Sequence, residues 1–284
     1  MNNASVLVLT SGQAKPAALE GLCDVATKRG LHLSVVVLGR LPTLPIYATG
    51  MGDFAAIGDY GDWQNDLENA KAKLDSCAQN LKGYLADRGA ACNVSVLSAD
   101  PVAFPDALAR RALTSDLVMV LDDARAEGDL FNDAVSSTLF HAPVAVVLNA
   151  LKAPEPLLPK RVLVGWNSGL PASRAIRAAM PMLRAAEDVT IAVFDPVMTA
   201  MRDGENPGSD VAHWLSHQGC TVNVQQYPSG GKEIADNLMQ RAREVEADLI
   251  VMGAYDHSRM RQIMFGGTTR SMIAQTDLPV LLAH

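Results

Sequence analysis

The residues best placed to do chemistry lie in one loop near the end of the chain. It reads Gly253-Ala254-Tyr255-Asp256-His257-Ser258-Arg259-Met260-Arg261-Gln262-Ile263-Met264-Phe265-Gly266-Gly267-Thr268-Thr269-Arg270. An apolar run precedes it and a helical pattern follows. Glycines let another group approach the backbone closely, and the free N–H groups of a helix N-terminus hold an anion. The Thr268 and Thr269 hydroxyls would add two donors to a phosphate cradle. The same residues also suit a plain turn at Gly266-Gly267 with a threonine capping the helix, and both readings stand at this point. Asp256 raises the Coulomb cost of a polyphosphate unless a cation bridges the two. Arg259, Arg261 and Arg270 would either offset that charge or lie solvated at the surface.

An earlier loop in a comparable place is different. Asp122-Asp123-Ala124-Arg125-Ala126-Glu127-Gly128-Asp129-Leu130-Phe131-Asn132-Asp133 carries five acidic residues and one glycine. Such a loop disfavours phosphate, and its spacing matches no calcium loop, which needs oxygen ligands at alternate positions and a glycine at the sixth. We expect this part of the chain to be retained for packing. His213 and His217 share a helix face without a third ligand, so a metal site is not expected there. The chain has no Gly-x-Ser-x-Gly elbow, and Gly230-Gly231-Lys232-Glu233 lacks the spacing and hydroxyl of a Walker A loop. Nothing pairs a nucleophile with a base, so catalysis is not expected.

The elements that must hold these loops form an internal repeat. Ser5–Leu9 and Arg161–Gly165 are apolar β-type runs, each followed by a short polar turn and a helical pattern. Asp116–Val120 precedes Ala142–Leu148 as Asp248–Met252 precedes Leu278–Leu282. A recurrence this long, in the same order, indicates duplication. Strands are expected near 5–10, 32–38, 92–98, 116–121 and 143–148, then near 161–166, 188–194, 220–227, 248–253 and 279–283. Helices fill the intervals. The runs are short, rich in Val, Leu and Ile, and poorly alternating, as suits strands buried on both faces of a parallel sheet. The expected fold is α/β, with two tandem doubly wound five-strand parallel-sheet domains of Rossmann-like type. We place the boundary at 155/156, in the proline-rich stretch Leu151–Pro159, read as a stiff extended connector. Residues 39–61 read as a long irregular loop. The last strands, Pro143–Leu148 and Pro279–Ala283, are wholly apolar and are expected to meet across a pseudo-twofold axis, making an intramolecular pseudo-dimer.

Composition sets the outer bounds. The 284 residues carry 24 basic and 31 acidic side chains, a formal net charge of −7. No basic excess exists to neutralise phosphates, which argues against a nucleic-acid partner. Apolar runs fall far short of a spanning helix, and Met1–Ser5 opens no signal peptide pattern. Cys23, Cys77, Cys92 and Cys220 are scattered without a CxxC pair. The expected compartment is the cytoplasm, with reduced thiols and no membrane partner.

The chain resembles a tandem universal stress protein, with two such domains in one polypeptide. The resemblance is strongest from Ala247 to His284. Nucleotide-binding members of that family carry Gly-x2-Gly-x9-Gly-Ser/Thr. Here Gly253 comes first, Asp256 replaces the second glycine, nine residues follow, and Gly266 comes next. Gly267 stands where Ser or Thr is usual, and Thr269 matches the later hydroxyl. The family also uses an acidic residue after the first strand, where this chain has Asn167, which weakens the case for a ribose or magnesium contact. Val193 or Phe194, near the end of a second strand, would flank adenine. The resemblance implies an adenine nucleotide alpha-hydrolase-like fold and a stress-response protein binding ATP or another adenine nucleotide in its second domain. Two alternatives stay open: a ligand-free interaction protein with a vestigial site and, by fold analogy alone, a hydrolase. A further homodimer of the tandem chain is also left open.

Overall fold

The computed structural model describes residues 1–42, 46–47, 56–57, 60–99, 102–153, 155–199, 204–254 and 267–284. The first half contributes β1 (Ser5–Thr10), α1 (Glu20–Arg29), β2 (His32–Arg40), a small antiparallel pair β3 (Ile46–Tyr47) and β4 (Ala56–Ile57), and α2 (Tyr60–Asp87). It continues with β5 (Cys92–Ala99), α3 (Phe104–Ala112), β6 (Leu117–Val120), α4 (Leu130–His141) and β7 (Val146–Leu148). The second half contributes β8 (Arg161–Gly165), α5 (Leu170–Leu183), β9 (Asp188–Phe194), α6 (Ser209–His217) and β10 (Val222–Tyr227). It ends with α7 (Ile234–Glu244), β11 (Leu249–Gly253), α8 (Gly267–Ala274) and β12 (Val280–Ala283).

Ten of these strands make one sheet, in the order β10-β9-β8-β11-β12-β7-β6-β1-β2-β5. Each half is a parallel five-strand sheet with its first strand in the middle and its last strand innermost. The two halves join through β7 and β12, the one antiparallel pair of this sheet among the described residues. Val146 faces Leu282 there, with Val147 opposite Leu281 and Leu148 opposite Val280. The pairing expected of the two apolar last strands is therefore the junction of the sheet.

Strand alternation sorts the core into two layers. Val6 and Val8 face one layer with residues of α1, α2, α5 and α6. Leu7 and Leu9 face the other with residues of α3, α4, α7 and α8. Burying both faces explains why these strands read as unbroken apolar runs. One device recurs in both halves: the Asp116 carboxylate accepts the N–H of Ser5, and Asp248 accepts those of Lys160 and Arg161. Each aspartate pins the start of a central strand to its neighbour.

Three local expectations change. The last strand of the first half is Val146–Leu148, shorter than the apolar run from Pro143, and proline could not supply a ladder N–H at its start. Within the stretch read as a loop at 39–61, β2 reaches Arg40, Ile46–Tyr47 pairs with Ala56–Ile57, and α2 begins at Tyr60. The connector is no extended rod. Ala150–Lys152 forms a 3-10 turn, the N–H of Leu158 bonds to the carbonyl of Glu155, and Leu157 is buried at φ 66°. Burial of Leu157 against the core outweighs the extended preference of the flanking prolines.

Candidate functional site

In this strand order the crevice of each half opens at the carboxyl ends of its first and fourth strands, where successive crossovers diverge. The two crevices, β1/β6 and β8/β11, are built differently.

In the first half, β1 ends in Thr10 and is followed by Ser11 and Gly12; the Thr10 and Ser11 hydroxyls face the turn after β6, while Gly12 lies against Cys77 and Val37. The Asp123 carboxylate fills the space between. Its Oδ2 accepts the hydroxyls of Thr10 at 2.6 Å and Ser11 at 2.9 Å, and the backbone N–H groups of Gln13 at 3.1 Å and Ala14 at 3.0 Å. Thr10 Oγ1 in turn accepts the N–H of Gly12 at 3.0 Å. Converging N–H and hydroxyl donors of this kind make an anion-binding concavity, and here the anion is the chain's own. Three of the other four acids are also engaged, Glu127 accepting the Gln13 amide. Asp122 pairs with Arg125 at 3.0 Å, and Asp133 with Arg40. Among the described residues no group of three or more His, Cys, Asp or Glu side chains is placed to hold a metal.

Arg125 points away from this crevice, into the second half. Its guanidinium donates to the carbonyls of Ile273 at 2.9 Å and Gln275 at 3.4 Å and to Asn149 Oδ1 at 3.3 Å, and lies 3.7 Å from the ring centre of Phe131. Asn149 is 2% exposed, holds a left-handed φ of 56°, and donates to the carbonyls of Gln275 and Leu278. The acidic loop thus carries the residue that satisfies the end of α8.

In the second half, the N–H of Trp166 bonds to the carbonyl of Ala192, and Asn167 follows, exposed, its Oδ1 accepting the N–H of Gly169 at 3.2 Å. Gly253 ends β11 against the first turn of α5. A Cβ there would lie 2.4 Å from the backbone nitrogen of Ala172 and 2.7 Å from the carbonyl carbon of Pro171. Only glycine lets these two backbones meet. α8 opens with exposed Gly267, whose Cβ position has no atom of the described residues within 4 Å, then half-buried Thr268 and buried Thr269. Ser271 on α8 donates to Glu233, just before α7, at 3.3 Å. Counting from Asp116 and Asp248, the residue in the place of Asp123 is Tyr255. Tyr255, Asp256 and Gly266 lie outside the described residues.

Asn167 and Gly253 therefore sit at the ends of adjacent strands, and Gly267–Thr269 start the helix that follows β11. Val193 sits elsewhere. It is 2% exposed, and its side chain faces Gly208 ahead of α6. Phe194 turns to the opposite layer and stacks on Tyr227 at 5.5 Å. Sequence reasoning missed Asp195, which follows β9 and accepts the N–H of Ser229 at 2.8 Å. The Ser229 hydroxyl and N–H hold its carboxyl below the usual carboxylate range. It also missed the role of Asp123, whose signal was an acid beyond β6 facing a Thr-Ser-Gly turn beyond β1.

Residues 222–284 match the universal stress protein family. A 48-residue segment is 33% identical to a stress response protein of Bacillus subtilis, spanning 17% of this chain and 29% of that relative. Among solved structures, a universal stress protein from Archaeoglobus fulgidus is similar across 99% of this chain and 96% of its own, at 17% identity and a TM-score of 0.66. A functionally unknown protein from Pseudomonas aeruginosa is similar over 99% of this chain and 92% of its own, at 16% identity and a TM-score of 0.56. These likenesses show the fold, a mixed α/β sheet of universal stress protein type. No helix among the described residues is long and apolar enough to cross a membrane.

Proposed function

We propose that the chain is a tandem universal stress protein, divided near residue 155, that binds an adenine nucleotide in its second unit and catalyses no reaction. The contrast between the two crevices carries this reading. The first is closed by Asp123, while in the second the counted place holds Tyr255, with Asp256 next to it, and no described residue crowds Gly267 at the start of α8. Free N–H groups at the start of α8 would receive phosphate, with Thr268 supplying a hydroxyl. ATP is the first candidate. Magnesium has weaker support, because Asn167 bears no charge. The proposed compartment is the cytoplasm.

One observation favours a second reading, an interaction protein with a vestigial crevice. Asn167 turns its side chain back onto Gly169, leaving its acceptor engaged within its own loop.

Calorimetry with ATP, ADP and AMP separates the two. Gly267→Val adds a side chain where no described residue lies within 4 Å, so its fold should be unchanged by circular dichroism while nucleotide binding is lost. Mass spectrometry of ligand released from the native protein gives an independent answer. Absence of heat with all three nucleotides at millimolar concentration, with no nucleotide released, would decide for the vestigial site.

A further inference from the structure

A second recess lies on the other side of the sheet from α8. Gly165, at the end of β8, faces Leu238 of α7, so its neighbour Trp166 turns to the opposite layer, between α5 and α6. There a solvent-open cavity of about 200 Å³ is lined by Trp166, Ser173, Ile176, Arg177, Asp210, Val211 and Trp214. Two of the chain's three tryptophans form its walls.

The indole N–H of Trp166 is buried and has no hydrogen-bond partner among the described residues. The Arg177 guanidinium lies 5.0 Å from the ring centre of Trp214 and makes no ion pair among the described residues. Stacking on the indole pre-organises its planar fork, which matches a carboxylate. Ile176 and Val211 are buried and add apolar wall. Asp210, whose Oδ1 accepts the N–H of Val211, adds one negative charge to the lining and so disfavours a multiply charged ligand. The volume is below the usual range for drug-sized ligands.

We propose that this cavity is a binding site for a small aromatic monocarboxylate. The ring lies between the two indoles, and the carboxylate takes the Arg177 fork. The site is independent of any nucleotide in the β8/β11 crevice, since a triphosphate is too large and too highly charged for it.

The full chain labelled with ¹⁵N gives three indole N–H signals, one per tryptophan. Titration with benzoate, phenylacetate and indole-3-acetate should shift the Trp166 signal saturably and leave that of Trp63, on α2, in place. Acetate, which lacks the ring, and benzyl alcohol, which lacks the charge, should bind at least about tenfold more weakly. Arg177→Met, at an exposed position, should weaken the aromatic carboxylates about tenfold or more with an unchanged melting temperature. ATP should not compete. No saturable shift with any of the three acids up to about 10 mM, or equal affinity in Arg177→Met, overturns the proposal. Failure of ATP to bind anywhere bears only on the nucleotide reading.

Discussion

Arg125 Nη1 lies 2.9 Å from the carbonyl oxygen of Ile273, so a residue of the first half closes the last turn of a helix in the second. Carbonyls at a helix C-terminus have no partner within the helix and carry partial negative charge. Arg125 supplies both the hydrogen bonds and the opposite charge, and Asn149 satisfies Gln275 and Leu278 beside it.

Arg125→Ala is therefore expected to destabilise the chain by about 2–4 kcal/mol, because it strips buried carbonyls and Asn149 of a charged partner. Arg125→Lys should recover little, since one ammonium cannot reproduce the planar fork. Urea denaturation measures both. A double-mutant cycle with Asn149→Ala should show coupling of about 1 kcal/mol or more.

Asp123→Ala is expected to cost about 2–3 kcal/mol, as two hydroxyls and two backbone N–H groups lose their common acceptor. Asp123→Asn keeps an acceptor without the charge and should cost less. Thermal denaturation of the two variants tests the order.

Gly253→Ala places a methyl group 2.4 Å from a backbone nitrogen, where no side-chain rotation relieves it. A loss of about 3 kcal/mol is expected. A change under about 0.5 kcal/mol would mean that β11 and α5 separate freely, leaving no fixed crevice between them.

Asp195 gives a pH test. Its carboxyl is held below the usual range by Ser229, so it stays ionised in the folded chain at pH values where the unfolded chain takes up a proton. Its contribution is complete above the ordinary aspartate value, near about 3.9, and is lost as pH falls through the lower folded value. Asp195→Asn should flatten the acid limb of the stability profile and leave its slope near neutrality unchanged.

Residues 158–284 expressed alone would leave β12 without β7. Its apolar edge is expected to pair with a second copy, giving a dimer by sedimentation. A stable monomer melting with the full chain would show that the halves do not depend on each other.

The sheet was legible because burial on both faces writes itself into a strand as a continuous run, as in Val6–Leu9 and Ile250–Met252. That the two last strands meet was legible from the duplication, their apolar edges and the family resemblance, but the register that sets Val146 against Leu282 was not. Gly253 was legible by its position, and its close contact with α5 gives the reason. Arg125 was not, because an arginine among acids reads as a surface ion pair, and nothing local tells that Ile273 waits across the junction. For Val193 the sequence did not show which layer it joins. Neighbouring strand residues alternate between layers, so the end of β9 offers Val193 to α6 and Phe194 to Tyr227, and composition alone does not say which layer a ligand would meet.

The β7–β12 junction also sets an order of events in folding. Leu148 meets Val280 across almost half the length of the chain, whereas the other pairings of the sheet lie within one half or the other. Closing so long a loop is slow, whereas within each half the strands join stepwise, so that even Val6 and Leu117, nearly as far apart in sequence, are brought near once β1, β2 and β5 have paired. Each five-strand sheet can assemble before the two dock, so the late intermediate carries two bare apolar edges on one polypeptide. Their mutual effective concentration is fixed by the tether rather than by how much protein is present. Docking is then a first-order step that competes with second-order association between chains, and dilution should raise the yield of refolded protein without slowing its final phase.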